Sequence, residues 1–189
     1  MRHGVARAEE ALHARKMALK RRSVAVARAA RSRRPRAAAP ALAPRLKRAA
    51  GPVGSAGTLV AEGDSWFDYP LWDVLKMLED EHGFDVESVA HKGDRVEDMA
   101  YGPGQLDAFC RRLEKLIRND NPPRAILLSG GGNDIAGDEF GVLLNHANST
   151  IAGLNDDVVT GVVDQRIRHA YITIIAQITH VSETMLGRK

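Results

Sequence analysis

Hydrophobic and polar positions change their rhythm several times along the chain. Thr58-Leu59-Val60-Ala61 is a short apolar run that ends at Gly63-Asp64-Ser65. It predicts a buried strand feeding a tight turn. Pro70 suits a first helical position. Leu71, Val74, Leu75 and Leu78 follow at helical spacing, and Gly83 supplies a C-terminal cap. Phe84, Val86 and Val89 predict a second strand ending near Ala90. From Gln105 to Arg118, Leu106, Phe109, Cys110, Leu113, Leu116 and Ile117 recur in steps that make one apolar stripe on a long helix. Pro122-Pro123 ends that segment, and Ala125-Ile126-Leu127-Leu128 predicts a third strand running into Ser129-Gly130-Gly131-Gly132-Asn133-Asp134. From about Asp157 to Leu186 the helical period returns. Strand, helix, strand, helix, strand, helix implies an α/β fold with a parallel sheet covered on both faces.

Composition divides the chain. Residues 1–50 hold 15 Lys/Arg, 2 Glu and 16 Ala, with no aromatic residue and no Ile. Residues 51–189 hold 12 Lys/Arg and 22 Asp/Glu. The overall charge of +3 therefore describes neither part. The first part lacks core-forming side chains that would offset the entropy of ordering, so it is expected to be disordered or a detached helix. Pro35, Pro40, Pro44 and Pro52 break regular structure. The division predicted is a basic Ala/Arg-rich tail and proline-containing linker over 1–56, and an α/β domain over 57–189. An arm of this kind can release counterions from nucleic-acid phosphates. It has no aromatics to stack on bases, and a solvated leader without a specific partner is the favoured reading. No uninterrupted apolar core marks a secretory signal, and no run approaches 18 apolar residues. The location expected is cytoplasmic, with no membrane span. A single cysteine, Cys110, excludes a disulfide framework and a cysteine-rich zinc site.

In parallel α/β folds the functional groups gather where strands end. Ser65, on a strand-to-helix turn that Gly63 permits, can present its hydroxyl while its own N–H helps bind an oxyanion. Gly93, after the second strand, lets a backbone N–H approach a ligand. Asn133 can donate its side-chain amide to a developing alkoxide, a contribution of roughly 3–4 kcal/mol to a transition state. Asp134 is expected to orient the loop or cap the next helix. Each turn alone has an ordinary structural reading. The glycine run at 130–132 belongs to neither a phosphate loop nor a dinucleotide fingerprint, and no cofactor is implied.

Together the three turns resemble those of the SGNH, or GDSL, hydrolase family. Gly63-Asp64-Ser65-Trp66 matches its first block, with Trp66 where the family has Leu; Gly93 fits the glycine of the second; Gly131-Gly132-Asn133-Asp134 matches the third, G-x-N-D. The resemblance covers about residues 57–137. It implies a flavodoxin-like three-layer α/β/α sandwich and hydrolysis of ester or related acyl bonds. Ser65 would be the nucleophile, and the Ser65 and Gly93 amides with the Asn133 side chain would form the oxyanion hole. The substrate would be a small-molecule or carbohydrate ester. Trp66, Phe67, Tyr69 and Trp72 follow the serine, and core or helix-packing roles are favoured for them over an acyl or sugar pocket.

The family's base lies in a D-x-x-H block near the C-terminus. None of His3, His13, His82, His91, His146, His169 and His180 has Asp three positions before it. Nor is there sequence after the last predicted helix for the later strands of the sheet that the resemblance implies, so the sheet is expected to be incomplete at its C-terminal side, and the chain is expected to be either an N-terminal portion of a longer hydrolase or a degenerate domain without turnover. His91 and His146 are the substitute bases to consider. The alternatives to a serine hydrolase are an inactive ligand-binding domain of the same fold and an anionic-polymer-binding protein acting through the tail.

Overall fold

The computed structural model describes residues 13, 17, 20–28, 31, 54–70 and 72–187. Strand β1 (Thr58–Glu62) is buried at all five positions, as its continuous apolar run demands. It is the middle strand of a parallel three-stranded sheet of order β2-β1-β3. Leu59 pairs with Val86 of β2 (Asp85–Ser88), and Val60 pairs with Ile126 of β3 (Ala125–Leu128). Parallel neighbours need crossover connections. Helix α1 (Val74–His82) joins β1 to β2; α2 (Val96–Tyr101) and α3 (Gln105–Arg118) join β2 to β3. After β3 come α4 (Gly132–Ile135), a 3-10 helix (Gly137–Leu143), α5 (Asp156–Thr160), a π-helical stretch (Gly161–Ile167) and α6 (Arg168–Leu186). The fold is mixed α/β.

The apolar stripe of α3 explains the core. Phe109 and Leu113 meet Val60 of the sheet, Val96 and Met99 of α2, and Ile174 of α6 in one buried cluster. Successive strand residues face opposite sides, so Leu59 and Ala61, both buried, look away from that cluster. On the β2 side, α1 packs against the sheet with Leu75 buried.

Several boundaries differ from the sequence reading. Pro70 does not open α1. Asp73 does, because its carboxylate accepts from the Lys76 amide at 2.7 Å and so satisfies a helix-end donor. Gly83 caps the other end at φ 71°, as its position predicts. Strand β2 leaves out Phe84 and Val89. The helix expected from Asp157 is continuous from Asp156 to Leu186, with a π-helical middle. Helix α2 was not anticipated, since six residues give too few turns to show a period.

Most of the tail and linker lies outside the described residues. Residues 20–28 are helical and rest on the domain. Ala25 is buried, and Arg22 reaches Asp85 at 2.7 Å and Glu79 at 3.6 Å. For this stretch, the expectation of an unattached arm gives way to a docked helix. Among the described residues no helix is long and apolar enough to cross a membrane.

Candidate active site

The C-terminal ends of three parallel strands meet along one edge of the sheet, and the turns leaving them are tied together. The His91 amide donates to the Gly63 carbonyl at 3.0 Å. The Ser129 hydroxyl donates to Asp64 at 2.8 Å. Asn133 Nδ2 donates to the Asp94 carbonyl at 2.9 Å, and the Lys92 amide to Asp68 at 3.0 Å. The turns carrying Ser65, Gly93 and Asn133 thus form one unit.

The turn after β1 is organised by Asp64, which is buried. Its carboxylate also accepts from the Trp66 amide at 3.2 Å, and its carbonyl accepts from Phe67 and Asp68. Gly63 is required by close approach. A Cβ there would lie 2.9 Å from the Ser129 Cβ and 3.0 Å from its carbonyl oxygen. Ser65 sits half-exposed beyond this anchored pair. Gly93 has φ 93°, the left-handed region, so its backbone conformation selects glycine. Among the described residues, neither the Ser65 nor the Gly93 amide donates to a protein acceptor. Asn133 uses one amide hydrogen on Asp94 and has a second to give.

Asp134 does not cap the helix that follows it. Its Oδ2 accepts from the Val96 amide at 3.0 Å, at the N-terminus of α2, so it fastens the third turn to an earlier helix. Tyr171 lies behind the same turn; burial, with Asp64 and Asp134 nearby, raises its phenol above the usual range.

Four residues of the site went unassigned in the sequence reading. Glu62, the last residue of β1, is 1 % exposed. Its Oε1 accepts from the Gly63 amide at 3.0 Å and from Gln105 Nε2 at 3.2 Å, while Oε2 has no protein partner among the described residues. Burial pushes its carboxyl up to about 7, against the two hydrogen bonds that favour the charged form. Gln105 also donates to Asp94, which lies 3.7 Å from His91 Nδ1. His91-Lys92-Gly93-Asp94 thus pairs imidazole and carboxylate in the reverse order to D-x-x-H. The signals were a carboxylate inside an apolar strand and an Asp three residues after a histidine. The fourth, Asp64, was visible only as a turn residue. His146 is placed elsewhere, its Nδ1 accepting from the Asn148 amide in the loop after the 3-10 helix.

The aromatic residues after Ser65 are not core. Trp66, Tyr69 and Trp72 are 69 %, 51 % and 64 % exposed, whereas Phe67 turns inward, against Gly63. Among the described residues no group of three or more His, Cys, Asp or Glu side chains is arranged to hold a metal ion. No family model, no curated protein and no solved structure matches the chain.

Proposed function

We propose that the chain is a serine-dependent hydrolase of ester or related acyl bonds, of the SGNH or GDSL type, with Ser65 as nucleophile. The observation that carries this reading is the joining of the Ser65, Gly93 and Asn133 turns at one edge of a parallel sheet. The order β2-β1-β3 is also the order in which a flavodoxin-like sheet begins, which supports that finer architecture.

Ser65 Oγ attacks the acyl carbon, and the carbonyl electron pair moves onto oxygen. The Ser65 and Gly93 amides and the second Asn133 hydrogen donate to that oxyanion, where fixed dipoles act without reorganising. The serine proton needs a base. His91 is the candidate. A closer approach of Asp94, now 3.7 Å from Nδ1, would hold the proton on that nitrogen and leave Nε2 as acceptor. The imidazolium then protonates the leaving alcohol, and water, activated by the same imidazole, releases the acyl group from Ser65.

The His91 side chain is 71 % exposed, and 3.7 Å is too long for a hydrogen bond. The base is loosely held, so turnover is expected to be slow. That same looseness favours the second reading, a ligand-binding domain without turnover. Hydrolysis of p-nitrophenyl acetate and fluorophosphonate labelling, on protein that melts cooperatively, separate them. Feeble turnover and weak labelling are expected, both lost in Ser65→Ala and both reduced in His91→Ala. Turnover that survives Ser65→Ala unchanged would overturn the hydrolase reading.

A further inference from the structure

Ser65 shares the wall of a recess of about 460 Å³ with Trp66, Tyr69, Trp72, Val74 and Met77. That volume lies within the roughly 300–1,000 Å³ of small-molecule sites. The recess has a local cause. The Val74 amide donates to the Trp66 carbonyl at 3.2 Å, which ties the turn after Ser65 to the first turn of α1. Val74 and Met77, three residues apart on that turn, then stand on one side, facing the ring side chains of the loop. Trp66, Tyr69, Trp72, Val74 and Met77 are all more than 40 % exposed. Five adjoining apolar side chains held open to water mark a binding surface rather than scattered exposure.

From this we infer that the recess holds the hydrophobic acyl chain of the substrate and does not hold a sugar. The inference rests on the serine-hydrolase reading given above. Recognition of a saccharide needs polar groups arranged around its hydroxyls. The carboxylate at the recess, Asp73, is already committed: it accepts from the Lys76 amide at 2.7 Å, pairs with Lys76 Nζ at 3.5 Å, and its side chain is 6 % exposed. Sugars also stack on free aromatic faces. Here the Arg21 guanidinium lies 5.3 Å from the Trp72 ring centre and Lys92 Nζ lies 5.3 Å from that of Tyr69. Each of those rings has a cation on one face. What remains is the Trp66 ring, the Val74 methyls and the adaptable Met77 thioether, which attract by non-directional contact. An alkyl chain asks for nothing else.

The chain's two tryptophans are Trp66 and Trp72, so intrinsic fluorescence reports from this recess. Titration of the full chain with decanoate is expected to shift the emission saturably to the blue, in wild type and in Ser65→Ala alike. Acetate and cellobiose should leave it unmoved. In hydrolysis, kcat/KM for p-nitrophenyl esters should rise roughly two- to fourfold per added methylene from acetate to octanoate. Met77→Asp, at a half-exposed position, should flatten the series and weaken the decanoate response in protein that still melts cooperatively. A blue shift with cellobiose and none with decanoate overturns the inference, as does a flat ester series in wild type. A decanoate response without Ser65-dependent turnover supports the acyl recess while defeating the hydrolase reading. Ser65-dependent acetate hydrolysis with no response to decanoate defeats the recess alone.

Discussion

Glu62 carries a carboxyl into β1, which is buried along its whole length, directly beneath the Gly63-Asp64-Ser65 turn. Its ordinary value is 4.5 and its folded value about 7. Between these values the folded chain keeps a proton that the unfolded chain has lost. Stability contributed by this group is therefore present below about 4.5, falls as pH rises toward 7, and levels off above. Glu62→Gln keeps an acceptor for Gly63 and Gln105 and removes the titration. Thermal melts should show a higher Tm than wild type at pH 8, with the difference shrinking toward pH 5. In a chain of this size each kcal/mol moves Tm by about 2–4 °C. An equal Tm difference at both pH values would mean that Glu62 is not titrating there. Asn133 belongs to the same scale. If its second amide hydrogen meets the oxyanion, Asn133→Ala should lower kcat by roughly 10²–10³ with little change in KM, because the bond forms only in the transition state. That Ser65, Gly93 and Asn133 sit on turns leaving three parallel strands, and that these turns meet at one sheet edge, was legible because short apolar runs ending in polar, glycine-containing turns mark parallel strand ends. Glu62, Asp94 and Gln105 were not, since their roles arise from contacts between elements distant in sequence, and no spacing records that Gln105 bridges Glu62 and Asp94.

The elements themselves were read from side-chain periodicity, and their fidelity follows how much periodicity each had. Helix α3 and strand β3 have the bounds that their apolar patterns predict, while α2, with six residues, left no pattern to read. The docked helix at 20–28 was hidden for a different reason. Its fit depends on small residues that carry no hydrophobic signal: Ala25 is buried against Gly83, where a Cβ would lie 3.1 Å from the Val26 nitrogen and 3.2 Å from the Ala25 carbonyl carbon. Gly83 thus serves both as the left-handed cap of α1 and as the seat of the tail helix. Gly83→Ala should cost about 1–2 kcal/mol through the left-handed backbone alone and also lift the helix. Limited trypsin digestion should then cut faster at Lys20, Arg21 and Arg22 than in wild type, with the domain fragment still resistant. Unchanged cleavage with a lowered Tm would show that the strain is absorbed within the α1 cap.

At the scale of the molecule the sheet's two edges are unlike each other. Strand β2 ends the sheet with Asp85 and Glu87, whose partners Arg22 and Arg112 come from the tail helix and α3, and charged side chains of this kind discourage a further strand. Strand β3 is Ala-Ile-Leu-Leu, with no charge, proline or bulge, and among the described residues it pairs with β1 on one side and with no strand on the other. Beside it runs α6, where Ile172 and Ile175 are each 48 % exposed although Ala170, Ile174 and Ile178 are buried. A parallel sheet is ordinarily covered at its faces and guarded at its edges. The acidic balance of residues 51–189 gives solubility through repulsion, and that repulsion weakens as salt screens it. The chain is therefore expected to self-associate with rising concentration and rising salt, through β3. Ala125 is the exposed first residue of that strand, so Ala125→Lys places a charge on the open edge without disturbing the core. Sedimentation velocity of wild type should show growing oligomers between low and moderate ionic strength, and Ala125→Lys should remain monomeric over the same range. Equal association in both proteins would move the contact to the α6 face, and Ile175→Lys would then be the variant that abolishes it. A monomer in wild type at every concentration would show that this open edge is tolerated because four residues give another chain too short a template to pair with.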